Sequence, residues 1–94
     1  MYHYVYMIKS IKCGKVKTYV GYTINLKKRL NAHNLGKGAK STRGRYWKII
    51  FKKRYLDKSS ALKMEYFIKN NSLIRKKIKN GISLNNNLYT QNIV

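Results

Sequence analysis

The chain is 94 residues long, one domain's worth, and folding at this size buries only about 60 to 65 per cent of the surface an unfolded chain exposes, so the core is modest. A content of 44% hydrophobic residues, with nine Tyr, two Phe and one Trp, excludes a disordered basic tail and implies one compact unit. With 22 Lys+Arg against 2 Asp+Glu, a formal charge of +20, the partner must be a polyanion. Nucleic acid fits better than a membrane surface, which favours an amphipathic cationic helix or a lipidation signal.

In chain order, Tyr2 to Ile8 alternates and is rich in β-formers, which predicts a strand. Thr18 to Tyr22 predicts a second, with Ser10 to Lys17 between them and Gly14 as the turn residue, hence a β-hairpin. The stretch Met1 to Ile8 is too short and aromatic for a signal peptide or a bilayer span. Cys13 is the lone cysteine, without metal-ligand neighbours or an internal disulfide partner. A reducing interior, cytoplasmic or nucleoid/nuclear, is the expected location.

A helix is predicted from Thr23, taken as N-cap, to Asn34, with Leu26 and Leu30 on one face. The segment Asn34 to Arg45 is Gly-rich and basic, an exposed loop suited to phosphates. Tyr46 to Leu56 predicts a third strand whose mixed alternation leaves its register open. Asp57 is the expected N-cap of a helix from Lys58 to about Asn70, with apolar stripe Ala61, Met64 and Ile68. A last helix runs from about Ser72 to Asn80 and ends at Gly81. The predicted organisation is a domain over 1–80 and a loosely held tail over 81–94.

Helical spacing puts Glu65 on the face of Ala61, Met64 and Ile68, and an acid in an apolar stripe calls for a compensating cation, either a Lys or Arg or a metal ion. Arg29 and His33 stand four apart at the border of the Leu26/Leu30 stripe and could point into one cleft; singly, each reads as an ordinary surface charge and a satisfied core histidine. In the hairpin, Tyr6 faces Tyr19 directly if the turn centres between Lys12 and Cys13, and the two remain close neighbours if it is one residue off. Plain cross-strand aromatic packing explains such a pair equally well.

Taken together, Tyr4-Val5-Tyr6, Tyr19-Val20-Gly21-Tyr22-Thr23, Arg29-Leu30-Asn31-Ala32-His33-Asn34, Gly36-Lys37-Gly38-Ala39-Lys40 and Ala61-Leu62-Lys63-Met64-Glu65 resemble, in that order, the GIY-YIG nuclease superfamily. The likeness is to its small stand-alone members and runs over about residues 2 to 80. Tyr4 stands where the first triplet has glycine, and the asparagine found late in some members has Asn70, Asn71 and Asn80 as candidates.

The resemblance implies an α/β (α+β) fold, a small three-stranded antiparallel sheet flanked by helices. It implies a metal-dependent DNA endonuclease with Tyr6, Tyr19, Arg29, His33 and Glu65 as catalytic residues. In that scheme Glu65 binds one divalent cation, Mg2+ or Mn2+, that polarises the scissile phosphate. One of the tyrosines helps to deprotonate water, and nearby positive charge from Arg29 or His33 lowers its pKa; the sequence leaves open which tyrosine. Arg29 would stabilise charge on the phosphate, and His33 would orient a tyrosine or relay its proton.

Basic residues at Lys27, Lys28, Lys37, Lys40, Arg43 and Arg45 are the candidates for gripping nucleic acid. The expected partner is DNA, branched or duplex, with a scaffold or activating protein as a further expectation, and no membrane. Gly36 to Thr42 mimics a phosphate-binding P-loop only loosely, since Ala39-Lys40-Ser41 replaces the required Gly-Lys-Ser/Thr, so no nucleotide cofactor is expected. A domain with so little surface for base readout predicts structure preference or weak sequence specificity, as in DNA repair or recombination. The alternatives are a non-catalytic basic nucleic-acid-binding protein on the same fold and a basic structural protein such as a ribosome-associated one. Only the nuclease requires all five residues together.

Overall fold

A computed structural model describes residues 1–81; the tail predicted beyond Gly81 lies outside the described residues. The chain forms β1 (His3–Lys12), β2 (Lys15–Thr23), α1 (Leu26–Asn34), a 3-10 turn (Lys40–Thr42), β3 (Lys48–Tyr55), α2 (Lys58–Lys69) and α3 (Ser72–Lys79). The strands make one antiparallel sheet in the order β2-β1-β3. This is the three-stranded sheet flanked by helices that the sequence predicts.

The hairpin is tighter than expected. Its turn is two residues, Cys13 and Gly14, both at positive φ (52° and 75°), a backbone that matches the twist of the flanking strands. Cys13 lacks the Asn or Asp that usually marks such a turn, and the sequence reading therefore assigned too much of the segment to loop. Pairing continues to Lys12 opposite Lys15, and Tyr6 stands across from Gly21 while Tyr19 stands across from Ile8. The turn centre is thus one residue later than the register that would set the two tyrosines face to face, and they meet diagonally.

Helix starts follow side-chain oxygens. Asn25, not Thr23, caps α1: its side chain accepts from the Lys28 amide at 3.0 Å, while Thr23 Oγ1 accepts from the Asn25 amide at 3.1 Å. Asp57 caps α2 through the Ser60 amide at 2.8 Å and Asn71 caps α3 through the Ile74 amide at 3.0 Å. Each supplies an acceptor to an otherwise orphaned first-turn donor.

Strand alternation divides the apolar residues between two faces. Val5, Met7 and Val20 pack against Ala61, Met64 and Ile68 of α2 and Ile78 of α3. On the opposite face Tyr6, Ile8 and Trp47 pack with Tyr19, Leu26, Leu30 and Ile49 beneath α1. The uncertain register of β3 has a physical cause, a bulge: Met7 pairs with Phe51 but Ile8 pairs with Ile49. The extra residue, Ile50, joins Phe51 on the α2 side while Ile49 stays under α1.

Ile68 is fully buried at 0% exposure whereas Leu73 is 61% exposed. Ile68→Ala is expected to destabilise the protein by about 2–5 kcal/mol and Leu73→Ala by less than about 0.5 kcal/mol, read from denaturant midpoints at constant slope.

Candidate active site

The five residues expected to act together do not come from one segment. β1 carries Tyr6, β2 Tyr19, α1 Arg29 and His33, and α2 Glu65. Arg29 and His33 meet Tyr6 at its hydroxyl, and Tyr19 joins them by ring contacts. Glu65, on the helix that packs against the other sheet face, pairs among the described residues with Lys69. Because the cross-strand neighbour of Tyr6 is Gly21, the phenol can lie across β2, and a Cβ at Gly21 would collide with the Tyr6 hydroxyl and ring. This glycine is required by close approach and not by an unusual backbone angle.

The Tyr6 hydroxyl lies 2.8 Å from His33 Nε2 and accepts from Arg29 Nε at 3.3 Å. On the far side of the imidazole, Nδ1 lies 2.8 Å from Thr42 Oγ1. The Thr42 hydroxyl donates its proton to the Ala39 carbonyl at 2.7 Å, so its oxygen can only accept from the histidine. Nδ1 then carries the imidazole proton, Nε2 presents a lone pair, and the Tyr6 hydroxyl donates to it. His33 and Thr42 are both fully buried. Gly38 closes the pocket, since a Cβ there would collide with His33 Nδ1.

Thr42 is itself held: its carbonyl accepts from Trp47 Nε1 at 2.7 Å, and the Trp47 backbone is clamped by Asn34, which accepts from its amide at 2.6 Å and donates to its carbonyl at 3.2 Å. The sequence reading gave no role at this site to Thr42, Gly38, Trp47 or Asn34, although Gly38 and Asn34 lie in its family-like segments. None has a spacing signal, because their contacts arise only when the loop folds back on α1.

Tyr19 completes the aromatic wall, its ring 6.4 Å from that of Tyr6 and 5.1 Å from His33, centre to centre. Arg29 serves both phenols; the hydrogen bond to Tyr6, with Tyr19 adding to it, holds its guanidinium even more firmly protonated than usual. Burial pushes the Tyr6 phenol above its ordinary value, and the hydrogen bond and charge of Arg29 offset this only in part. The expectation of a lowered tyrosine pKa is therefore corrected for Tyr6: desolvation outweighs the cation. Burial, aided by the Arg29 charge, pushes His33 below its ordinary value, so its imidazole is neutral near pH ~7.

Glu65 is half-buried, with 19% of its side chain exposed, and pairs with Lys69 at 3.3 Å, one turn along α2. Its negative charge acts on the Tyr6 phenol, opposing ionisation. The lysine partner that the sequence left open is thus present. Among the described residues no three His, Cys, Asp or Glu side chains cluster as a metal site. Any ion would rest on this one carboxylate together with substrate oxygens and water, a donor set that suits Mg2+, which keeps several waters and binds through one or two carboxylates.

Of the basic residues, Lys27, Lys28 and Lys37 line one shallow groove on the outer side of α1, and Lys40 and Arg43 are exposed on the loop. Arg45 is engaged within the fold, donating to Ser10 Oγ at 3.2 Å and to the Lys15 carbonyl at 2.7 Å, which ties the loop to the hairpin. His3 Nδ1 lies 2.7 Å from the Tyr22 hydroxyl, away from this site.

The model of the GIY-YIG catalytic domain matches residues 2–79. The chain belongs to the GIY-YIG family. Its relatives include a UPF0213 protein of Oceanobacillus iheyensis, 46% identical over 71% of this chain and 76% of that one. Another, from Natronomonas pharaonis, is 39% identical over 79% and 85%. A solution NMR structure of a UPF0213 protein from Bacillus halodurans is 36% identical, covers 99% of this chain and 95% of its own, and superimposes with a TM-score of 0.48. Membership of the GIY-YIG family implies nuclease activity.

Two outcomes follow for this GIY-YIG domain. Gly21→Ala forces Tyr6 off its position and is expected to lower stability by about 1–3 kcal/mol, visible in thermal unfolding and in loss of the downfield Tyr6 hydroxyl proton by NMR. Because the folded pKa of His33 lies below the unfolded value of 6.5, the unfolded state binds the proton first as pH falls. The stability His33 confers is complete above about pH 7.5 and declines as pH drops through about 6.5. With only 2 Asp+Glu and 2 His in the chain, few other groups mask this limb, and His33→Gln should flatten the melting-temperature profile between about pH 8 and 5.

Proposed function

We propose that the protein is a divalent-metal-dependent DNA endonuclease in which Tyr6 is the base that activates water, with His33 as the acceptor of its proton. The observation that carries this is the single-file hydrogen-bond chain from Arg29 through the Tyr6 hydroxyl and His33 to Thr42. A phenol whose pKa is raised by burial is a poor base by itself. Here its proton already points at a neutral imidazole nitrogen. As water attacks phosphorus, its proton passes to the Tyr6 oxygen while the Tyr6 proton passes to His33 Nε2, so no free phenolate need form. The imidazolium that results keeps its Nδ1–H on Thr42.

Arg29, charged and hydrogen-bonded at the same oxygen, faces the negative charge that develops on the phosphate. Tyr19 walls the imidazole and shares Arg29. The bond formed is between phosphorus and the water oxygen; the bond broken is between phosphorus and the leaving sugar oxygen, which takes its proton from solvent. Glu65 would hold Mg2+ or Mn2+, which when bound supplies Lewis-acid stabilisation of charge on the phosphate and the leaving oxygen. Lys27, Lys28, Lys37, Lys40 and Arg43 supply sequence-independent phosphate contacts, in keeping with structure preference and a role in repair or recombination, alone or with a scaffold protein.

Labelled branched and duplex DNAs incubated with Mg2+ or Mn2+ test this reading. Cleavage should stop on addition of EDTA and in Glu65→Ala, while binding at matched salt persists; a wild type that binds but cuts no substrate in either metal overturns it. Thr42→Val removes the oxygen that fixes the histidine tautomer and should lower kcat by about 10- to 100-fold. Thr42→Ser, which keeps that oxygen, should retain most of the activity. Equal activity in both variants would show that Thr42 only fills space.

A further inference from the structure

Among the described residues, the sheet face that carries Tyr6 is covered by α1 only in part. Tyr6, Ile8 and Ile49 lie beneath that helix with Leu26 and Leu30. Towards the start of β1 the same face continues with Tyr4, whose cross-strand neighbours are Thr23 and Arg54, and Lys52 stands opposite Tyr6. None of these belongs to either apolar cluster among the described residues. Lys52 and Arg54 are exposed, Tyr4 is half-buried and Tyr2 is 40% exposed.

This end, which no other described residue covers, is a built surface. The Tyr2 and Tyr4 rings pack at 6.4 Å between centres, tilted by 59°. The Arg54 guanidinium lies over the Tyr2 ring, its central carbon 4.3 Å from the centroid. A planar cation backed by an aromatic ring, itself supported by a second ring, is a shelf with a π-compatible top and a positive charge. Ordinary solvent-facing strand positions in a chain of charge +20 need only lysines to stay soluble. Aromatic rings there leave apolar area exposed unless something planar covers them.

We propose that this shelf of Tyr2, Tyr4 and Arg54 is a stacking site for an unpaired nucleobase of a nucleic acid strand. The occupant follows from chemistry: every base has a π-face, and its phosphates suit Lys52 and Arg54, whereas an acidic peptide would use the charges and leave the rings idle. Its place next to the cleft sets the substrate class, and here the inference rests on the nuclease reading. Tyr4 and Tyr6 are two residues apart on one face, about 7 Å. A strand whose phosphate lies at Arg29 can therefore set a neighbouring base on the shelf only if that base is out of a helix. Flaps, branches and single strands offer such a base; intact duplex does not without unstacking.

Binding in EDTA, where no cutting occurs, tests the shelf separately from catalysis. The probe is a short single strand with 2-aminopurine at one position, compared with the same sequence as duplex at matched salt. Wild type should quench the fluorophore and prefer the single strand. Tyr2→Ala and Arg54→Lys, both at exposed positions, should each weaken single-strand binding by roughly 10-fold, abolish the quench and change duplex binding by less than about 2-fold. Arg54→Lys keeps the charge and loses the plane, so it separates stacking from attraction; Lys76→Ala on α3 reports a lost charge elsewhere. Equal losses on duplex and single strand, or an Arg54→Lys protein that binds and quenches as wild type does, overturn the proposal. If the quench and preference are found but no DNA is cut in Mg2+ or Mn2+, the shelf stands and the nuclease reading fails. Cleavage that is indifferent to Tyr2 and Arg54, without quench, leaves the nuclease and removes the shelf.

Discussion

The hydrogen bond between the Tyr6 hydroxyl and His33 Nε2 is the interaction on which the site depends, and most of the local architecture can be understood as allowing it. It requires a phenol lying flat across a strand, which only a glycine opposite permits, and an imidazole at van der Waals contact with a loop, which again only a glycine permits. It also requires an imidazole of one tautomer. A buried His with one satisfied nitrogen and one free would leave a polar atom stranded, at a penalty of about 1–3 kcal/mol. Thr42 on one side and Tyr6 on the other remove that penalty and fix the direction of the proton at the same time.

Support for that bond runs outward through the chain in an order that joins three elements. Asn34 ends α1 and clamps the Trp47 backbone, Trp47 reaches back to the Thr42 carbonyl, and Thr42 meets His33 on the helix where the path began. The loop between α1 and β3 is thereby closed on itself through buried hydrogen bonds, which in a low-dielectric interior are both strong and intolerant of loss. Arg45 and Lys12, which donates to the Gly44 carbonyl at 2.8 Å, tie the same loop to the hairpin. A segment that reads as an exposed basic loop is therefore tied down through Thr42 and Trp47 as a wall of the site, with Lys40 and Arg43 left exposed.

What the sequence discloses and what it hides divide along local and non-local lines. Ala61, Met64 and Ile68 announce α2 and its buried face because helical periodicity is a property of neighbours, and Asp57 announces its start for the same reason. The five candidate residues were picked out through their order along the chain. Their meeting was only half legible: the diagonal contact of Tyr6 with Tyr19 turns on a single residue of hairpin register, and that register rests on Cys13 adopting a backbone usually left to Asn or Gly. The contacts of Thr42 and Gly38 with His33 were not legible, because they form only when the loop folds back on α1. Nor could composition give the sign of the Tyr6 shift. Surrounding positive charge is countable in a sequence, whereas the burial that outweighs it is a property of the folded chain.

The distribution of acids gives the charge its meaning. A chain with 22 Lys+Arg has two acidic side chains, and both lie at α2. Asp57 accepts from the Ser60 amide, which holds its carboxyl below the usual range and fixes where the helix begins. Once the start is fixed, the helical repeat determines which side Glu65 faces two turns later, at the edge of the stripe that anchors α2 to the sheet. Lys69, one turn further on, pairs with Glu65 at 3.3 Å, a partly exposed ion pair of the kind worth about 0–1 kcal/mol.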